Sequence, residues 1–343
     1  MRLIALLFAV LVAARAADPV NVYMYSEYID PSIPGEFEKK TGIPVRISTY
    51  ESQEEMVAKL MAGGSGQYDL LVASDVVVTQ LVTLKLVAKL DQSKIPNAKN
   101  LWDRFRDPLY DKGNVYTLPY FWGPLGIIYR KDKLPAGKVV SWKLIFDESA
   151  SIGPFVLMDE MRSMMGCAAI ALGKDVNSKD KDEIKTIGQT VLKAKQRKDC
   201  LGFDGGVGGK NKVLAGQAAL AVVYNGDAVK AMSESADVAF AVPVEGAPCA
   251  VDNLLVTSKA KNPAGAHAFI DFLMDAKIGA RNADFTQYAT PYQASLALVK
   301  AENRANAAIY PSDEAMKKLV SLLDLGSDTN RIYDEVWTAV KSR

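Results

Sequence analysis

Val22-Tyr23-Met24-Tyr25-Ser26-Glu27-Tyr28-Ile29 is the stretch whose reading decides the fold. A strand-forming apolar run passes into phenols, a hydroxyl and a carboxylate. Pro31 and Pro34 follow, and Phe37 sits on an amphipathic turn that stops at Gly42. Strand, loop, helix is the unit of an open parallel sheet, where ligands sit beyond the carboxyl ends of the strands. Tyr25 to Tyr28 therefore occupies a place where a binding site is expected. Two phenols and an acid suit a small organic cation, because aromatic faces attract cations and a carboxylate fixes an ammonium. Aromatic residues also favour strands in their own right, so the segment taken alone fits an ordinary strand end equally well.

The pattern continues outward. Ile43 to Ile47 reads as the next strand, and Ser52 with Glu55 forms a capping box before Met56, Leu60 and Met61. Tyr68 to Ala73 reads as a buried strand, with Ser74 placed to cap the following helix. This β-α-β-α-β order predicts a parallel sheet covered by helices. Val115 to Tyr120 and Leu125 to Tyr129 read as two extended runs about a Trp122-Gly123-Pro124 break, a crossing between lobes. A second set follows: a strand over 154–158, a Met-rich helix through Leu172, a charged helix over about 178–198, and a strand from Ala218 to Tyr224. Asn225-Gly226-Asp227 reads as a tight turn into another helix, and Asp252 to Val256 as the returning strand. Gly205 to Asn211 resembles a phosphate loop only superficially, since Asn211 stands where Ser or Thr should hold a magnesium ion. A mobile loop before a helix is expected there.

The chain's 343 residues favour two domains. Arg2, the apolar run Leu3 to Val12, and the small residues Ala14 and Ala16 read as a secretory signal peptide over residues 1–16, cleaved before Ala17. Its removal lowers Lys+Arg from 41 to 39 against 40 acids, a balance that argues against a nucleic-acid partner. Cys167, Cys200 and Cys249 fit no close metal-ligand spacing, and after export one pair could oxidise. The single histidine, His267, reads as a surface partner of Asp271 one helical turn on. No catalytic motif, cofactor site or metal site is legible, which weakens the enzyme class without removing it, since any two acids can meet in space. No catalytic residue, cofactor or metal is assigned, and the chain is not expected to be an enzyme.

Tyr25-Ser26-Glu27-Tyr28, Leu70-Leu71-Val72-Ala73-Ser74, Leu118 to Gly123, Tyr224-Asn225-Gly226-Asp227, Val251-Asp252 and the closing Trp337 to Ser342 occur in an order that resembles the periplasmic putrescine/spermidine-binding proteins of bacterial ABC importers, the putrescine-preferring branch above all. The resemblance runs almost end to end. It implies an α/β, two-lobed periplasmic binding protein of type II, each lobe a mostly parallel sheet flanked by helices, with the ligand in the interlobe cleft. Residues 17–124 and 252–295 would form lobe 1, and 125–251 and 296–343 lobe 2. By the same resemblance Tyr25, Ser26, Glu27, Tyr28, Ser74, Tyr224, Asp227, Asp252 and Tyr288 would bind the ligand. Asp75, Glu160, Arg162 and Ser163 are further candidates.

The sequence also departs from the family pattern. A family glutamate falls at Ser163, aromatics at Val76 and Val77, another ring at Ala250, and a glutamine at Leu323. These losses point to a ligand with one cationic head held by Glu27, Asp227 and Asp252 and a neutral or anionic tail against Ser163 and Arg162. The rival is that Glu160 or Asp75 swings in and restores a diamine site. The expected role is a monomeric periplasmic receptor that hands a polyamine or related organic cation to an inner-membrane ABC permease. A sensor docking on a membrane signalling receptor and an exported enzyme reusing the lobes are the alternatives.

Overall fold

The computed structural model describes residues 17–134 and 137–343, so the expected signal peptide lies outside the described residues. The described residues form ten strands: β1 (Val20–Tyr25), β2 (Val45–Tyr50), β3 (Leu70–Ser74), β4 (Leu118–Arg130), β5 (Phe155–Met158), β6 (Cys200–Asp204), β7 (Leu220–Tyr224), β8 (Val238–Ala241), β9 (Ala247–Val256) and β10 (Leu319–Val320). Their spatial order is β2-β1-β3-β9-β4-β7-β5-β6, with β8 beside β4 and β10 beside β9. β1 pairs parallel with β2 and β3, and β5 with β6 and β7; β9 runs antiparallel to β3 and β4, and β4 antiparallel to β7. Each half is thus a parallel sheet, and two long strands join them.

Those two strands belong to both cores. Leu118, Tyr120, Phe121 and Trp122 of β4 pack in one core with Leu254 and Val256 of β9, whereas Leu125 and Ile127 pack in the other with Ala247. The expected break at Trp122-Gly123-Pro124 is absent, because all three residues pair with β9 opposite Val251, Ala250 and Cys249. Gly123 is required by a close approach: a Cβ there would lie 1.9 Å from Asn225 Oδ1. Val299 and Ile309 pack in the first core, past residue 296 where the sequence reading moves the chain to the second lobe.

Local chemistry explains the helices. Ser52 accepts from Glu55 N (3.2 Å), and the Glu55 carboxylate reaches back to Glu51 N (3.1 Å), one residue earlier than a standard capping box. Pro263–Leu273 begins at an Asn262 cap bonded to Gly265 N and buries Ala266, Phe269, Ile270 and Leu273. Full burial of each large apolar side chain there contributes about 1.5–3 kcal/mol. Two expectations fail nearby. His267 is buried, with Nε2 accepting from Asp91 N and Nδ1 against Pro263 O, while Asp271 accepts from Asn97. It is a structural histidine, and the surface His267–Asp271 pair does not form. Gly206–Leu214 is a helix rather than a mobile loop. The three cysteines are free thiols, and Cys167 is buried.

Candidate functional site

Strand ends from both halves converge on one cleft. Tyr25 ends β1 and Ser26 and Tyr28 follow it, Glu51 follows β2, and Asp252 lies on β9; from the other half come Met158, Glu160, Gly206, Val207, Tyr224 and Asp227, with Tyr288 closing the wall. The free space inside measures about 40 Å³.

Asp227 stands in the first turn of the Asn225–Glu234 helix, which starts directly after β7 without the expected tight turn. One glycine makes room for it and another for Tyr288. A Cβ on Gly206 would lie 2.2 Å from Asp227 Oδ2, and one on Gly226 would lie 2.1 Å from the Tyr288 ring. Tyr288 Oη donates to Asp227 Oδ2 at 3.3 Å. Asp252 lies opposite Ser74 on β3 and Phe121 on β4, and the Tyr28 hydroxyl donates to its carboxylate. Glu160 accepts from three hydroxyls: Tyr25 (3.1 Å), Tyr224 (3.1 Å) and Ser163 (3.0 Å). The Tyr25 and Tyr28 rings meet edge to face at 5.6 Å, as do Tyr28 and Tyr288 at 5.0 Å, the geometry their quadrupoles favour.

Burial drives the electrostatics. It pushes the Glu160 carboxyl up to about 8, with Glu54 and Asp252 adding repulsion. It pushes Asp252 up to about 7, against the Tyr28 hydrogen bond that lowers it. Asp227 rises to about 6 for the same reason, held back by Lys210 and Tyr288. Three carboxylates that lack a basic hydrogen-bond partner therefore share one tyrosine-walled slot. Enclosed charges of one sign are costly unless a counter-charge arrives, so the arrangement is built for a cation.

The remaining candidates fall elsewhere. Glu27 was expected to meet an ammonium. Its carboxylate instead pairs with Lys210 (2.9 Å) and Lys230 (2.7 Å), which outweigh its burial and hold it below the usual range. Arg162 was expected at the far end of the ligand. Its guanidinium turns away to Leu323 O, Val176 O and Asn177 Oδ1 and stacks on Tyr333. Asp75, which burial raises to about 7, opens into a separate hollow shared with Leu323. Ser74 does not cap its helix; it donates to Asp75 Oδ1 (2.9 Å), which itself accepts from Val76 N. Val76, Val77 and Ser163 border a neighbouring chamber that shares Glu160 with the slot wall. Sequence reasoning missed Glu51, Met158, Gly206, Val207 and Lys210. Glu51, Met158 and Gly206 stand just beyond or at the carboxyl ends of β2, β5 and β6, so the strand-end rule would have found them once β6 was recognised.

Comparison with known proteins gives this geometry its family. Residues 35–317 match the family described as bacterial extracellular solute-binding protein. The chain is 33% identical over 348 residues to the putrescine-binding periplasmic protein SpuD of Pseudomonas aeruginosa (strain UCBPP-PA14), covering 96% of this chain and 94% of that protein. It is 30% identical over 332 residues to the spermidine/putrescine-binding periplasmic protein of Escherichia coli (strain K12), again covering 96% and 94%. A solved structure of the spermidine/putrescine ABC transporter substrate-binding protein PotD from Streptococcus pneumoniae superposes with a TM-score of 0.77 at 26% identity, over 95% of this chain and 99% of that one. The chain belongs to the bacterial extracellular solute-binding proteins, and its role is that of a substrate-binding receptor of an ABC importer rather than an enzyme.

Proposed function

We propose that the cleft binds a short aliphatic diamine of the putrescine type and delivers it to an ABC permease. The observation that carries this reading is the set Glu160, Asp227 and Asp252 on the walls of a single slot lined by Tyr25, Tyr28, Tyr224 and Tyr288. A diamine has two ammonium ends and an apolar middle. Each end needs a carboxylate to offset desolvation, and each ring over an ammonium adds about 0.5–2 kcal/mol. The names of the relatives, putrescine and spermidine/putrescine binders, agree with this chemistry.

Glu160 is what favours a diamine over a ligand with a single cationic head. It supplies the acid that Ser163 lacks, and Ser163 Oγ donates to it. Arg162 offers no cation to an anionic tail. Among the other departures, Val76, Val77 and Leu323 border separate hollows and not the slot, while Ala250 lies on β9 opposite Gly123. Titration with 1,4-diaminobutane tests the reading, and Ser163→Glu sharpens it. The added acid should bring no gain in diamine affinity, because Glu160 already fills that role. A gain of tenfold or more, about 1.4 kcal/mol, would mean that the native slot lacks an acid.

The receptor acts as a monomer in the periplasm and takes no nucleic acid, in keeping with its near-neutral charge. Export removes residues 1–16. The intact mass of the exported protein should correspond to a chain starting at Ala17; a retained Leu3 to Val12 run would contradict this.

A further inference from the structure

Glu27 is the acid at the cleft mouth that two lysines have claimed, and the lysines are not equivalent. The Lys230 side chain is 24% exposed, that of Lys210 only 2%. An ammonium withdrawn so far from water is costly unless it is paired. Lys210 projects from the Gly206–Leu214 helix, whose first two residues line the slot. Its ammonium is close enough to Asp227 to lower that carboxyl against burial. Glu27 meets it from a left-handed backbone, φ 55°, a conformation that a non-glycine residue keeps only when its surroundings hold it.

Charge balance gives this pairing a consequence. Glu27, Glu160, Asp227 and Asp252 supply four negative charges when ionised, and Lys210 with Lys230 returns two. The remainder matches a dication. Glu51, also on the wall, is exposed and hydrogen-bonded to Ser26, so water meets its charge. A third ammonium would find no further enclosed acid on the slot wall, since Asp75 and Glu54 open into neighbouring hollows.

We propose that Lys210 is a specificity-determining residue, a built-in ammonium that fills the Glu27–Asp227 end of the cleft and limits the ligand to two positive charges. The inference rests on the reading of the cleft as an amine site. Wild-type protein should bind 1,4-diaminobutane at least tenfold more tightly than the triamine spermidine in titration calorimetry. Lys210→Met should raise spermidine affinity at least tenfold without raising that of the diamine, because the third ammonium takes the vacated seat. Adding Glu27→Gln to Lys210→Met should abolish the gain. Lys210→Gln is the second neutral variant, with the same expected shift, should the methionine variant fold poorly.

An unchanged diamine-to-triamine ratio in a folded neutral variant would make Lys210 a purely structural residue and overturn the proposal. So would a wild type that binds both amines equally. A wild type that binds neither amine would instead overturn the reading of the cleft itself.

Discussion

Asp252→Asn should weaken diamine binding by about 2–5 kcal/mol, the cost of removing one partner from an enclosed charge pair. Asp252 lies on β9, the strand that joins both halves, and no basic side chain neutralises its carboxylate. Its hydrogen-bond partner is the Tyr28 hydroxyl, which can donate equally well to an asparagine carbonyl oxygen. The fold should therefore survive. Without ligand the substitution removes a charge that burial already disfavours, so the melting temperature of the ligand-free protein at pH 8 should hold or rise. Calorimetry and a melting curve on the same sample separate the two effects. Unchanged affinity would reduce Asp252 to a structural partner of Tyr28.

Acidification from pH 8 to pH 5.5 should lower diamine affinity at least a hundredfold. Glu160, Asp252 and Asp227 titrate near 8, 7 and 6 in the ligand-free protein, where an ordinary carboxyl titrates near 4. The diamine stays doubly charged throughout this range, so binding requires the acids to give up their protons. Each acid still protonated costs about tenfold per pH unit. Stability without ligand should run the other way. Between about pH 4 and 8 the folded protein holds protons that the unfolded chain has released, so folding stability falls as pH rises through that window. Opposite slopes for binding and for ligand-free melting are the expected signature. A flat binding profile would show that these acids do not face the ligand.

Much of the fold was legible because its signals are local. β1, β3, β5 and β7 are short apolar runs bounded by turn residues, and the Asn262 cap and Ser52 cap announce their helices. β4 misled because Gly-Pro punctuation usually ends a strand. Here Gly123 is needed for the close approach of Asn225, and Pro124 keeps the pairing with β9. Gly205 to Asn211 misled for a related reason: glycine-rich sequence disfavours a helix, yet tertiary packing imposes one.

The site was half legible. Tyr25, Tyr28, Tyr224, Asp227, Asp252 and Tyr288 stand together at strand and helix ends, where the sequence places them. The direction in which a long side chain turns was not legible. Arg162, Ser163 and Glu160 are near neighbours in sequence, yet Arg162 leaves the cleft for backbone carbonyls while Glu160 enters it for three hydroxyls. Glu27 was placed correctly along the chain and misjudged in charge. The lysines that answer it come from residues 183 and 203 positions further on, a separation that no local pattern reveals.

The central claim is that the slot holds a ligand by two cationic ends. Titration of the mature protein at pH 8 with 1,4-diaminobutane and with n-butylamine, which keeps the chain and drops one ammonium, tests it most directly. The diamine should bind at least a hundredfold more tightly, about 2.7 kcal/mol, because its second ammonium meets a carboxylate that butylamine leaves unpaired. Equal affinities would show that one end alone is recognised, and would contradict a two-ended cleft.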